Sequence, residues 1–324
     1  MSDEHIKNIR PGERIEDLFV IRRIEMRDYE GRKYLVFNLG CSRGKIRGVY
    51  WGEDAEDLSH QFAENDVIKL CGVATDYRGE RNIKIEAFRR ATDDEIDITK
   101  LLPAGRYPRE KLVESLYRRI DSVEDEYLGA LLEAVFTDDF VEKFSIYPAA
   151  KLWHGAYLTG LVEHTLRVAK ICDIACDFYP DCRKDLLMAG ALLHDIGKVE
   201  EIKIGGFFDY SVAGRLVGHI VLGAIRVARA IEEIPDFPQN LAAEVLHLIV
   251  SHHGRQEFGS PVEPKTIEAM ILHHADMLDG QTEGVQHIVQ RELPAGREFS
   301  DFVKILGRYI YLDGYRSGED FVDE

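Results

Sequence analysis

The hydrophobic period of this chain changes once along its length, and that change restricts the fold more than any other feature. Between residues 14 and 91 the apolar side chains fall in strand-length runs: "DLFVIRRIEM", "KYLVFNLGCS", "KIRGVYWG", "DVIKLCGVATDY" and "RNIKIEAFRRA". Turn signals separate the runs at Tyr29-Glu30-Gly31, Ser42-Arg43-Gly44, Glu64-Asn65-Asp66 and Arg78-Gly79-Glu80. Beyond residue 109 the period becomes that of amphipathic helices, in eight segments running from "REKLVESLYRRI" to "FSDFVKILGRYIYL". A chain of 324 residues exceeds the usual size of one domain, so each period is expected to build its own core. The expected organisation is an all-β unit over residues 12–91, a linker over 92–108 and an all-α unit over 109–315. In the linker, acidic residues precede Pro103, Gly105 and Pro108, and both periods lapse.

Five strands with a short helical segment, "AEDLSHQF", between the third and fourth are the arrangement of an OB-fold, a small closed barrel often used to bind oligonucleotides. An SH3-like barrel or a structural cap is the alternative. Single-stranded nucleic acid needs aromatic platforms and cations. Tyr34, Tyr50, Trp51 and Tyr77 lie among Lys33, Arg43, Lys45, Arg47, Arg78 and Arg81. Strand alternation sends Tyr50 and Trp51 to opposite faces, which places one of them in the core. Tyr34, Tyr77 and Arg78 are the expected substrate contacts of this unit. In the helical unit, "KIGGFFDYS" breaks the period as a small hairpin or loop.

No apolar run approaches the roughly 20 residues that span a bilayer, and "MSDEHIKNIR" lacks the apolar segment of a secretory signal. Five sparse cysteines without CxxC spacing suit reduced thiols, with Cys172 and Cys176 as buried packing. A cytoplasmic protein is expected, with no membrane partner. The net charge of -17 argues against nucleic acid until it is divided. Residues 14–90 carry 15 Lys+Arg and 14 Asp+Glu, whereas residues 91–324 carry 24 and 41. The acidity therefore lies in the helical part, where divalent cations locally invert the sign of the field.

Nine of the 12 histidines fall between residues 154 and 274, several on helices otherwise made of Leu, Val, Ile and Ala. An imidazole buried there without a partner costs free energy, and a metal ion compensates it. In "ALLHDIGK", His194 and Asp195 diverge by about 100° around a helix axis, so that one binds a metal terminally while the other bridges to a second. His164 on the preceding helix and Asp276 in "HHADMLDG" complete a first group, as bundle-core sites draw ligands from facing helices. His219 in "VGHIVLG" and His252 and His253 in "SHHG" are candidates for a second ion. Two ions roughly 3.5 to 4 Å apart are the apparatus of phosphoester hydrolysis.

In order, "EHTLRVAK", "ALLHDIGK", "GHIVLG", "SHHG" and "HHADMLD" resemble the motifs of the HD-domain metal-dependent phosphohydrolases. With an OB-like unit in front, "PAA" before the first histidines and "SHHGRQEFGSP", the order of segments over about residues 12–290 looks like the YhaM-type 3′-to-5′ exoribonucleases. The resemblance implies divalent-metal-dependent removal of nucleotides from the 3′ end of single-stranded RNA, and of DNA as a further substrate. Manganese is the usual metal; Fe2+, Mg2+, Co2+, Ni2+ and Zn2+ are alternatives. It implies His164, His194, Asp195 and Asp276 as ligands of one ion, and His219, His252 and His253 as ligands of the other. Lys198 would meet the phosphate beside Asp195. The chain departs from the pattern twice: Trp153 stands before His154 where two histidines are expected, and "LDGQT" replaces "LDAKM". His154, Arg215 and Arg255 are the expected substrate contacts of the helical unit. His247 and His273 read as packing or as partners behind the ligands, and Glu163 as an exposed helical residue.

The leading reading is thus a two-metal exonuclease whose barrel captures a single strand. A hydrolase of a small nucleotide or cyclic dinucleotide shares every metal ligand but has no need of the barrel. A nucleic-acid-binding or signalling module with an inert site is the third reading, and seven intact ligand candidates weigh against it. A homo-oligomer is left open.

Overall fold

In a computed structural model of the chain, residues 6–77, 79–151 and 155–315 are described. The chain divides into two compact units, residues 1–104 with 203–209, and residues 105–202 with 210–324.

The first unit is a closed five-stranded barrel of OB type in the order β1-β2-β3-β5-β4, formed by β1 (Arg14–Tyr29), β2 (Arg32–Cys41), β3 (Gly44–Tyr50), β4 (Val67–Tyr77) and β5 (Glu80–Arg90). β1 is long enough to serve two partners. Arg14 to Val20 pair with β4, Val20 to Tyr29 pair with β2, and a bulge between Ile21 and Arg23 turns the strand from one to the other. Parallel pairing of β3 with β5 closes the barrel. The first hairpin is set by a two-residue turn, Glu30 and Gly31, both at positive φ, which matches the twist of the flanking strands. Phe19, Ile21, Leu35, Phe37, Leu39, Ile68, Leu70 and Ile83 are fully buried and fill the interior. The short helix α1 (Ala55–Ser59) lies between β3 and β4 in the chain, and Ala55 is buried in the same core. Of the neighbouring aromatics, Tyr50 packs edge-on to Phe88 at the core margin while Trp51 stacks on Tyr34. Residues beyond the barrel are ordered too. Asp97 caps α2 (Ile98–Leu101), the Ser42 N–H donates to the Lys100 carbonyl, and Leu101 and Leu102 are buried.

The second unit is helical. It comprises α3 (Arg109–Ile120), α4 (Glu126–Val135), α5 (Asp138–Phe144), α6 (Gly160–Cys176), α7 (Lys184–Leu193), α8 (Lys198–Glu201), α9 (Val212–Leu216), α10 (His219–Glu232), α11 (Gln239–Ser251) and α12 (Ile267–Glu292). After α8 the chain forms a two-stranded excursion, β6 (Ile202–Ile204) with β7 (Phe208–Tyr210), whose residues 203–209 belong to the first unit. α6, α7, α11 and α12 pack together around Leu161, Val162, Leu192, Leu193, Leu248, Ile249 and Leu272, all buried. Among the described residues, no helix is long and apolar enough to cross a membrane.

Three expected helices differ from the structure. The apolar period of "RKDLLMAGALLHDIGKVEEI" predicts one helix over 183–202, but the helix stops at Leu193 and resumes at Lys198. The segment at 214–234 is cut at Gly218, whose φ of 79° lies in the left-handed region. Residues 299–312 form no helix but fold back on themselves, with bridges Phe299–Tyr311 and Val303–Arg308. Gly307 at φ 63° makes the return, and Ile310 and Leu312 bury against Ile288 and Val289 of α12. Two apolar stripes meeting across a hairpin there mimic one helical face.

Candidate metal centre

The break after α7 builds the site. His194 caps α7, Asp195 follows in the turn, and Gly197 lets the first turn of α10 approach. A Cβ on Gly197 would lie 2.1 Å from the His219 carbonyl oxygen and 2.5 Å from the Gly223 nitrogen. Only a glycine admits that backbone, so "HDIGK" reflects close packing as well as chemistry. Gly254 does the same for "SHHG": at φ 80° it sits where a Cβ would meet the His273 ring at 2.3 Å, and His273 Nδ1 donates to the His252 carbonyl at 2.8 Å.

Two groups of donor atoms result, each within 4.8 Å: His164, His194, Asp195 and Asp276, and His219, His252 and His253. Asp195 joins them. Its Oδ2 lies 3.3 Å from His164 Nε2 and 3.2 Å from His194 Nε2, while its Oδ1 lies 3.5 Å from His219 Nε2 and 3.6 Å from His252 Nε2. Asp276 Oδ1 stands 3.1 Å from His164 Nε2.

All five imidazoles present Nε2 inward because each Nδ1 is held from behind. His164 Nδ1 donates to Asp279 Oδ2 at 2.7 Å, His194 Nδ1 to the Ala191 carbonyl at 2.8 Å, and His219 Nδ1 to Glu201 Oε1 at 2.9 Å. His252 Nδ1 donates to the Ile249 carbonyl and His253 Nδ1 to the Phe258 carbonyl, both at 2.7 Å. A ring whose Nδ1 carries the proton offers a lone pair at Nε2, the tautomer a metal requires. Asp279 is itself held by Arg167, whose Nε donates to Oδ1 at 2.6 Å. Neither Asp279 nor Glu201 is among the residues expected from the sequence. The available signal for Asp279 was its place one turn after Asp276 on α12.

The electrostatics suit cations. Burial disfavours a charged Asp195, yet Lys198, His194 and His164 hold its carboxyl well below the usual range. Asp276 is lowered likewise, against its burial, by His164. Burial, then His253 and His194, push His252 well down and keep it neutral. Asp195 Oδ1, His219 Nε2 and His252 Nε2 are buried and have no hydrogen-bond partner among the described residues. Three stranded acceptors facing one another are costly in a protein interior and are what a divalent ion would satisfy.

The structure therefore brings together His164, His194, Asp195, His219, His252, His253 and Asp276. Lys198 begins α8 and donates to Asp195 Oδ2 at 2.6 Å. Arg215 and Arg255 are exposed, Arg215 over the Tyr210 ring and Arg255 paired with Glu257. In the barrel unit, Tyr34 stacks on Trp51 at 4.1 Å and Tyr77 is 57% exposed. His154 and Arg78 lie outside the described residues. Glu163 is buried rather than exposed, because Thr159 and Tyr157 donate to its carboxylate. His247 accepts from the Lys265 N–H.

A helical bundle with this ordered histidine and aspartate set defines an HD-domain metal-dependent hydrolase of phosphoesters. The HD domain family model matches residues 161–281. The chain is 30% identical over 288 residues to the 3′-5′ exoribonuclease YhaM of Bacillus velezensis, covering 87% of this chain and 90% of that protein. It is 30% identical to the protein of the same name from Bacillus subtilis, over 82% of this chain and 83% of the relative. Listeria welshimeri has one that is 27% identical over 93% and 95%. The chain belongs to the YhaM family of 3′-5′ exoribonucleases.

Proposed function

We propose that the chain is a cytoplasmic exoribonuclease that removes nucleotides from the 3′ end of single-stranded RNA with two divalent ions, Mn2+ first among them, and that single-stranded DNA is a further substrate. The observation that carries this is the placement of Asp195, one oxygen toward each group of imidazoles. His164, His194, Asp195 and Asp276 would hold one ion; His219, His252 and His253 would hold the other, with Asp195 shared. Such a pair supplies Lewis acidity at the phosphoryl oxygens and lowers the pKa of water. The chain's own groups do the rest. Asp279, Glu201 and three backbone carbonyls orient the rings, and the buried Lys198 ammonium supplies fixed positive charge beside Asp195 for the developing charge on phosphate. The barrel holds the strand, with Tyr34 and Tyr77 as base contacts; Arg215 and Arg255 steer phosphates in the helical unit.

The test is an RNA labelled at its 5′ end, incubated with Mn2+ and the full chain. A ladder shortening one nucleotide at a time, and stopped by a 3′-blocking group, is expected. An intact RNA in the presence of metal-loaded protein refutes the reading.

A further inference from the structure

Where the chain folds back after α12, its aromatic side chains turn to solvent. Phe299 is 47% exposed, Phe302 50%, Tyr309 61% and Tyr311 48%. They are open although the segment is well anchored. Ile310 and Leu312 bury against Ile288 and Val289, the Ser300 N–H donates to the Ile310 carbonyl, and the Asp301 N–H donates to Glu292 Oε2. Alternation divides the residues: with Ile310 and Leu312 turned inward, Tyr309 and Tyr311 turn outward. The bridge of Phe299 with Tyr311 brings their rings to 5.3 Å, and the Phe302 ring lies 5.2 Å from that of Tyr309. Two ring pairs therefore stand side by side, about 7 Å apart along the strand. Each ring packs on one side and is open on the other.

Contiguous exposed apolar surface on a rigid support marks a binding surface. The residues beside the rings indicate the occupant. Lys304 and Arg308 flank the turn that Gly307 makes at φ 63°; both are exposed, and neither forms a salt bridge among the described residues. Asp301 is already paired with Arg297. Flat rings interspersed with cations suit a single strand, whose bases stack on the rings while its phosphates meet the cations. An apolar protein partner would leave the cations unused. α12 also ties the rings to the metal centre, because Ile288 follows Asp276 on one unbroken helix at about 18 Å along its axis.

We propose that Phe299, Phe302, Tyr309 and Tyr311 form a base-stacking platform of the helical unit for the single-stranded substrate, with Lys304 and Arg308 on the neighbouring phosphates. This rests on the exoribonuclease reading and goes beyond the barrel: the unit that carries the metal centre grips the strand itself. Every base has a flat face, so the platform accepts any sequence.

The experiment is fluorescence anisotropy of a labelled oligoadenylate RNA with the full chain, in EDTA so that the strand stays intact. Leucine is apolar but not flat, and each stacking ring lost costs roughly fivefold or more in affinity. The double variant Tyr309→Leu/Tyr311→Leu should therefore bind roughly 25-fold more weakly or worse. The slope of log K against log salt should stay the same, since no phosphate contact is removed. Tyr309→Phe/Tyr311→Phe keeps the rings and should bind like the wild type. Phe178→Leu, which removes a ring 75% exposed elsewhere on the helical unit, should change nothing. An RNA of abasic sites should bind the wild type and the leucine variant alike. A leucine variant that melts like the wild type and binds oligoadenylate as tightly overturns the platform; if light scattering then shows that it has lost an oligomer formed by the wild type, the surface is an interface between copies instead. Restoring Mn2+ checks the activity separately. If the wild type shortens RNA while the leucine variant binds undiminished, the platform fails alone; if the wild type binds through these rings yet leaves RNA intact, the exonuclease reading fails alone.

Discussion

Asp279→Asn should weaken metal binding at the His164 group by roughly tenfold to a hundredfold, about 1.4 to 2.7 kcal/mol. Asp279 accepts from two sides at once: His164 Nδ1 donates to Oδ2 at 2.7 Å, and Arg167 Nε donates to Oδ1 at 2.6 Å. An asparagine offers one oxygen and one NH2 group in the same space. If the oxygen faces His164, the NH2 faces the guanidinium, donor against donor. If the amide is turned the other way, its NH2 faces Nδ1, and the ring must carry its proton on Nε2, the atom aimed at Asp195 and Asp276. Either arrangement loses a charge-assisted hydrogen bond, and one of them also removes the lone pair that binds metal. The assay is calorimetric titration of Mn2+ into the EDTA-stripped chain, with melting temperature measured alongside to separate metal affinity from fold. A variant that binds Mn2+ as tightly as the wild type, at the same stoichiometry, would show that Asp279 does not set the His164 tautomer.

Asp195→Ala removes a carboxylate that turns one oxygen to each group of imidazoles; bound metal per chain should fall, and RNA shortening should drop by about two to three orders of magnitude or more in a gel assay. In metal-free protein, acid should destabilise the fold through His252. Its folded pKa lies well below the ordinary 6.5, so the unfolded chain binds the extra proton, and stability is lost as pH falls below about 6.5. Melting curves from pH 7.5 to 5 should show that slope, and His252→Gln should flatten it. Phe37 is fully buried in the barrel, so Phe37→Ala should cost about 3 to 5 kcal/mol in urea unfolding of the barrel.

The parts of this molecule that were legible in its sequence are those where one residue type has one physical use. Glu30-Gly31 reads as a tight turn because Gly31 adopts positive φ without a Cβ penalty between two apolar runs, and with such turns placed, strand alternation yields the barrel. Imidazoles on helices of Leu, Val and Ala read as candidate ligands because little else compensates them there, and five of them converge with Asp195 and Asp276. What was illegible falls into two kinds. Helical period alone did not distinguish a continuous helix from two short ones meeting at a glycine. Hence Gly197 and Gly218 read on paper as interior positions of continuous helices, whereas in the fold one admits the His219 backbone and the other starts α10 at His219 itself. The second kind is the support behind the ligands. Three of the five Nδ1 acceptors are backbone carbonyls, of Ala191, Ile249 and Phe258, and no side chain announces them. The other two, Asp279 and Glu201, have the identity and spacing of solvent-facing acids. Asp279 has its place one turn after Asp276 as a signal, but which ring either acid holds follows from the fold, where the imidazoles stand 2.7 and 2.9 Å away. Candidate ligands can thus be picked from residue types, but the protonation state that would let them hold a metal is decided by neighbours the chain supplies from elsewhere.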